Sequence, residues 1–270
     1  MGTTAGSRDL AVAHPVHHLE DVMGTIVTID VYTAAGAQVA GLDRQLDRAR
    51  AILHRADEIF STWRPRSPIS LLRSGEITAA QAPAEVAEVL ERCAVARSLS
   101  GGWFDPWAMP GGIDPSGYVK GWAAQNALAV FAADDIIGAI VNAAGDITSS
   151  GGPGSGAPFR IGIADPFAPR CLVDIVELTG AIATSGTYER GSHLIDPHLG
   201  HPAARAASAT VTGPDLGLAD ALATALAVAG TPGLTFIERL EGYEALVIGF
   251  DASRRSTDRF AFARREVISG

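Results

Sequence analysis

The period of hydrophobic and polar positions changes several times along the chain, and each change predicts an element. Met23-Gly24-Thr25 opens a strand in which Ile26, Thr28 and Asp30 alternate with Val27, Ile29 and Val31 through Tyr32. From about Ala37 to Phe60 the period turns helical, with Leu42, Leu46, Ala49, Leu53, Ala56 and Phe60 as the buried stripe. Ser67-Pro68 starts a short helix with Pro at its first position, ending near Gly75. Pro83 opens the next, through Val86, Val89, Leu90, Cys93, Ala94 and Arg97 to a stop at Gly101-Gly102. Asp114 to Gly121 leads into another helix ending near Ala133. Gly138 to Ile147 reads as one buried strand, and the Gly/Ser/Pro-rich run Ser149 to Pro158 as a hairpin tip. Phe159–Ala164 and Leu172–Leu178 read as paired strands, Gly180 to Thr184 as the start of another, and Ala206–Thr212 as a short β-run. Leu218, Leu222, Leu226, Ala225 and Ala229 mark a helix stopped by Gly230 and Pro232, with Asp215 or Gly217 able to open it. Leu234–Leu240 is a short helix, and Glu244–Asp251 with Phe260–Arg264 a closing hairpin. Residues 1–22 are expected to be a flexible lead-in and 23–270 a single domain. Strands followed by helices in mostly antiparallel order give an α+β class.

Composition narrows the classes of function. The 270 residues are 47% hydrophobic and 19% charged, with 30 Gly, which is the make-up of a packed globule. A net charge of −9 without Lys/Arg clusters argues against nucleic acid or an anionic membrane as partner. No run of about 18 apolar residues exists, so no membrane span is expected. Met1 to Asp21 carries neither the cationic start nor the apolar run of a secretory signal, so a cytoplasmic location is expected. Cys93 and Cys171 both lie in apolar-periodic segments outside any C-x-x-C pattern and read as buried free thiols. His14, His17 and His18 cluster near the start, a pattern that fits a solvated entry segment better than a metal site.

Polar residues able to do chemistry gather between Thr184 and Gly230: Thr184, Ser185, Tyr188, His193, Asp196, Asp220 and Thr224. Asp220 and Thr224 are four apart and share a helix face, offering a carboxylate and a hydroxyl to one point. Two hard oxygens suit Mg²⁺, which fills the rest of its shell with water and substrate phosphate. The plainer reading is a carboxylate favouring the helix dipole and a polar residue on the helix side. A glycine-containing loop also runs into a helix N-terminus at Asp114–Gly121, a place for an anion, and Lys120 in that first turn is mildly unfavourable unless an anion is near; the plainer reading is an ordinary capped helix with a solvated Lys.

In order, these segments resemble the ApbE-type FAD:protein FMN transferases over nearly the whole chain, from Met23 to about Phe250. Met23-Gly24-Thr25, Phe60-Ser61-Thr62-Trp63, Ser67-Pro68-Ile69-Ser70, Trp103-Phe104-Asp105-Pro106 and Asp114–Gly121 each resemble a motif of that family. So do Val141–Ile147, Ala183–Arg190, His193–Pro202 and Asp220–Thr224. The resemblance implies a T-fold-like antiparallel core with helices and an interwoven second lobe. It implies Mg²⁺-dependent transfer of FMN from FAD to a Ser or Thr hydroxyl of an acceptor protein, with release of AMP. Asp220, Thr224 and the backbone carbonyl of Gly117 match its metal site. Met23, Trp63, Trp103, Phe104, Asp105, Asp114, Lys120 and Ile195 match FAD-contacting positions. His193 matches its reactive histidine, a base for the acceptor hydroxyl, so that His193 and Asp220 are the expected catalytic pair. A monomer or homodimer is expected. Two alternatives stay open: hydrolysis of FAD to FMN and AMP, and a non-catalytic FAD carrier. Three departures stand out. Ala144 replaces the first glycine of a Gly-Gly-Asp run, the segment between Asp105 and Asp114 is short, and His198-Leu199 replace a basic residue and a threonine.

Overall fold

In a computed structural model the described residues are 15–34, 40–133, 135–154, 156–187 and 194–263. Eight strands form one fully antiparallel sheet in the order β1-β2-β3-β4-β7-β10-β11-β12. They are β1 (Val16–Val22), β2 (Thr25–Thr33), β3 (Ile136–Ala143), β4 (Asp146–Gly151), β7 (Ala181–Gly186), β10 (Ser208–Gly213), β11 (Glu244–Ile248) and β12 (Arg254–Ser256). A ribbon of β5 (Phe159–Asp165) and β6 (Ala168–Leu178) and a small one of β8 (Ile195–Asp196) and β9 (His201–Pro202) stand apart. The helices are α1 (Leu42–Phe60), α2 (Pro68–Ser74), α3 (Ala84–Leu99), α4 (Ser116–Leu128), α5 (Leu216–Ala229) and α6 (Leu234–Ile237). They enter as insertions between neighbouring antiparallel strands, α1 to α4 between β2 and β3 and α5 with α6 between β10 and β11.

The period-two pattern assigns the two faces of the sheet. Val27, Ile29, Val31, Ala139, Val141, Ala181, Ala183, Ala209, Val211, Ala245 and Val247 face the helices and join the main core. Ile147, Ile182, Leu246 and Ile248 face the other way and pack on Phe159, Ile163, Val176 and Leu178 of the β5–β6 ribbon. Helix α5 is apolar nearly all round and is buried between sheet and helices, as expected for a central helix. Its six alanines let neighbours come close. The crossing with α4 is closer still: a Cβ on Gly121 would lie 2.5 Å from the Leu216 carbonyl oxygen, and one on Gly217 2.8 Å from the Tyr118 ring. Gln125 ties the layers together, its Oε1 accepting from the Leu216 N–H and the Thr148 hydroxyl, both at 3.1 Å.

The α+β class is as the sequence predicts, and several boundaries differ. The last seven residues of the expected flexible lead-in, Val16–Val22, form strand β1, because every one of them pairs with β2. Met23-Gly24 is then the turn of a hairpin and not the opening of a strand, with φ of 56° and 69° as a tight two-residue turn requires. The predicted strand Gly138–Ile147 is folded back at Ala144-Gly145 by a second such turn. The partner of β11 is Arg254–Ser256, and Phe262 makes a single bridge to Val176. Cys171 is exposed on the β-ribbon, whereas Cys93 is buried. Helix α1 begins at Leu42; the expected start near Ala37 lies outside the described residues.

Candidate active site at the α4–α5 junction

Strand pairing fixes one end of the sheet as a meeting place. The Met23-Gly24 and Ala144-Gly145 turns and the C-terminal half of β7 lie along it, because Val27 opposes Ala143 and Ile147 opposes Ile182. The helices bring their functional residues to this end. Asp215 caps α5, accepting the Leu218 N–H at 2.7 Å, and Asp220 and Thr224, four apart, share one face of its first three turns. The α4–α5 crossing sets Gly117 against Thr224: a Cβ there would stand 3.5 Å from Thr224 Oγ1 and 3.3 Å from the Phe104 ring. Gly117 thus has both Phe104 and Thr224 close by, with Asp220 one turn from Thr224 and only 5% exposed. The Thr224 hydroxyl also lies 3.1 Å from the hydroxyl of Ser185 on β7.

One turn beyond Gly117, Lys120 pairs with the carboxylate of Asp146. That carboxylate is 1% exposed and its Oδ1 accepts the Thr184 N–H at 3.2 Å. The positive charge that the sequence places awkwardly near a helix start is therefore met by a buried negative one. Asp220 is felt further in: the thiol of Cys93 on α3 is pushed up to about 12, by burial first and by the charge of Asp220 second. Cys93 stays protonated and takes no part in nucleophilic chemistry at neutral pH.

The remaining expected residues are placed as follows. Phe104 is 5% exposed and forms its wall. Met23 packs against the main core from its turn. Asp105 caps a short helical turn, accepting the Trp107 N–H at 3.0 Å, while its other oxygen accepts from Arg97 at 2.6 Å. Asp114 accepts the Ser116 N–H at 3.0 Å at the start of α4 and lies 3.8 Å from Arg73. Both carboxylates thus serve local structure, each with lone pairs to spare. Ile195 sits on β8, half-buried. Trp63 is 94% exposed, its ring standing in solvent just beyond α1. His193 and Tyr188 lie outside the described residues.

The short segment between Asp105 and Asp114 is closed by its own bonds. Asp114 N–H donates to the Pro106 carbonyl at 2.9 Å, and Arg73 donates to the carbonyls of Pro110 and Gly111 at 3.2 and 3.1 Å. His198 and Arg205 form a group on Trp103. The His198 ring meets it edge-on at 4.6 Å between centroids, and the guanidinium lies over it at 4.6 Å. Arg205 also reaches the fully buried Asp196 at 3.5 Å. Behind Trp103, a cleft of about 300 Å³ has Arg205 and Arg239 on its walls; it does not include Asp220 or Thr224.

Sequence reasoning missed the partners that hold the expected residues: Asp146 for Lys120, Ser185 for Thr224, Arg97 for Asp105. Only Ser185 left a readable signal. It follows Ala181 and Ala183 at period two, which assigns it to the helix-facing side of β7.

The donor set at the junction fits Mg²⁺. A carboxylate and a hydroxyl share one helix face, and the absent Cβ of Gly117 leaves backbone close to that hydroxyl. Among the described residues there is no group of three or more His, Cys, Asp or Glu that could hold a metal.

An FAD:protein FMN transferase of Rhodobacter capsulatus is 35% identical over 168 residues, 58% of this chain and 32% of that protein. One from Salmonella typhimurium is 32% identical over 147 residues, 50% of this chain and 42% of that protein. The chain thus spans less than half the length of either. Among solved structures, the flavin transferase ApbE of Vibrio cholerae superposes with a TM-score of 0.76 at 24% identity, covering 91% of this chain and 97% of that one. The apo flavinyl transferase ApbE of Pseudomonas stutzeri gives 0.78 at 23%, covering 93% and 96%. These likenesses show a shared fold. The ApbE family model matches residues 23–111 and 108–247, and the chain belongs to the ApbE family.

Proposed function

We propose that the protein transfers FMN from FAD to a Ser or Thr hydroxyl of an acceptor protein, releasing AMP, in a Mg²⁺-dependent reaction. The observation that carries this reading is the approach of Gly117 to Thr224, one turn from Asp220, where α4 crosses α5. Family membership and the two curated relatives supply the reaction class. Asp220, Thr224 and the Gly117 carbonyl would hold the ion, which when bound supplies charge neutralisation and Lewis-acid polarisation at the pyrophosphate.

The chain's own residues account for the rest. The N–H groups at the start of α4 would face the pyrophosphate, with the Lys120 ammonium, held by Asp146, as a hydrogen-bond donor beside them. Phe104 walls the junction against water, and the exposed ring of Trp63 offers a face for a planar ring system. Met23, Trp103, Asp105, Asp114 and Ile195 complete the proposed FAD contacts. The acceptor oxygen attacks the phosphorus of the FMN half, the bond from that phosphorus to the bridging oxygen breaks, and AMP leaves with that oxygen. His193 takes the proton of the attacking hydroxyl. We place the reaction in the cytoplasm.

The test is product analysis with FAD, Mg²⁺ and an FMN-domain acceptor. AMP release with acid-stable flavin on the acceptor is expected, and loss of both in Asp220→Ala. Unchanged turnover in that variant would remove the metal assignment.

A further inference from the structure

Ser185 has no part in the scheme above, yet its hydroxyl lies 3.1 Å from that of Thr224, and either could be the donor. The placement follows from the strand. Ala181, Ala183 and Ser185 occupy the helix-facing side of β7, and Ala183 and Ser185 pair with Val211 and Ala209 of β10. Ser185 is 8% exposed, so this hydroxyl sits in a nearly closed layer among alanines and points at α5. A serine hydroxyl has one proton to give and lone pairs to accept with, and so has threonine's.

A cation removes the ambiguity. A hydroxyl that gives a lone pair to a metal must turn its proton away from it, and that proton then needs an acceptor. We propose that Ser185 is that acceptor: the residue outside the ligand set that turns a lone pair of Thr224 toward the metal. The proposal rests on the assignment of Asp220 and Thr224 to a Mg²⁺ site. Residues that orient ligands in this way typically change metal affinity about 10- to 100-fold when removed. Ser185 is thus a positioning residue, acting through Thr224.

The test measures metal binding, not turnover. Mg²⁺ and Mn²⁺ are titrated calorimetrically into the full chain without FAD, for the wild type, Ser185→Ala, Ser185→Thr and Asp220→Ala. Ser185→Ala is expected to weaken binding about 10- to 100-fold with little change in melting temperature, since an alanine there matches Ala181 and Ala183. Ser185→Thr, which keeps the hydroxyl, is expected to recover most of the affinity. Should Ser185→Ala fail to fold, Ser185→Cys, whose thiol is a weak acceptor, is expected to show the same loss. Wild-type affinity in Ser185→Ala alongside loss in Asp220→Ala overturns the role of Ser185 and leaves the metal site standing. Wild-type affinity in both overturns the metal assignment and this inference with it.

Discussion

Ala144 sits at φ 54° in the turn between β3 and β4, where its sheet neighbour in the turn, Gly145, is at 95°. A Cβ in this left-handed region costs about 1–2 kcal/mol, and glycine avoids it at some expense in chain entropy. Ala144→Gly is therefore expected to stabilise the protein by about 0.5–1 kcal/mol, read as a shift of the denaturant midpoint at unchanged slope. The sequence shows the alanine but not its φ, which comes from pairing that brings Ala143 opposite Asp146. Lys120 teaches the same lesson from the other side. Its position near a helix start predicts a need for negative charge. Nothing local says that the charge comes from Asp146, since the two meet only when α4 lies across the start of β4. Asp220 and Thr224 were legible because a spacing of four within one helix needs no tertiary information.

The elements that carry the site meet through glycine. With 2.5 Å between a hypothetical Gly121 Cβ and the Leu216 carbonyl oxygen, α4 and α5 cannot keep this separation if a methyl is added. Backbone must move, at about 1–3 kcal/mol for an overpacked contact. Gly121→Ala is therefore expected to lower stability by that amount. It should also weaken Mg²⁺ binding, because the same crossing sets Gly117 against Thr224; calorimetric titration beside a denaturation curve checks both. Helix α5 was readable from its leucine and alanine spacing and from the Asp215 cap. The two hairpin turns were not, because Met23 and Ala144 are residues that seldom take positive φ. Strand β1 was hidden for another reason. Its helix-facing positions include His18 and Glu20, so the apolar alternation that marks a strand is broken.

Across the whole molecule, Glu20 joins the first strand to the helix layer. Its carboxylate accepts from His54 at 2.8 Å, His18 at 2.9 Å and Arg50 at 2.6 Å. The His54 hydrogen bond first, then those of His18 and Arg50, hold its pKa at about 2 against an ordinary 4.5, with burial opposing. A depressed carboxylate pKa adds stability that is complete above about pH 4.5 and is lost as the pH falls toward 2. Glu20→Gln is expected to flatten the decline of stability over that window, and an unaltered acid limb in the denaturation profile would argue against the hub. The antiparallel α+β class was legible in the sequence, but the order of the sheet was not. Helices inserted between strands that end up adjacent leave no local trace. The proposed reaction also belongs to this scale, because its acceptor would be another protein. The most direct measurement of the central claim follows AMP and flavin after mixing the protein with FAD and Mg²⁺, with and without an FMN-domain acceptor. The account predicts AMP only when acceptor is present, with acid-stable flavin bound to it in equal amount. AMP and free FMN in the absence of acceptor, or tight FAD binding with neither product, would contradict it.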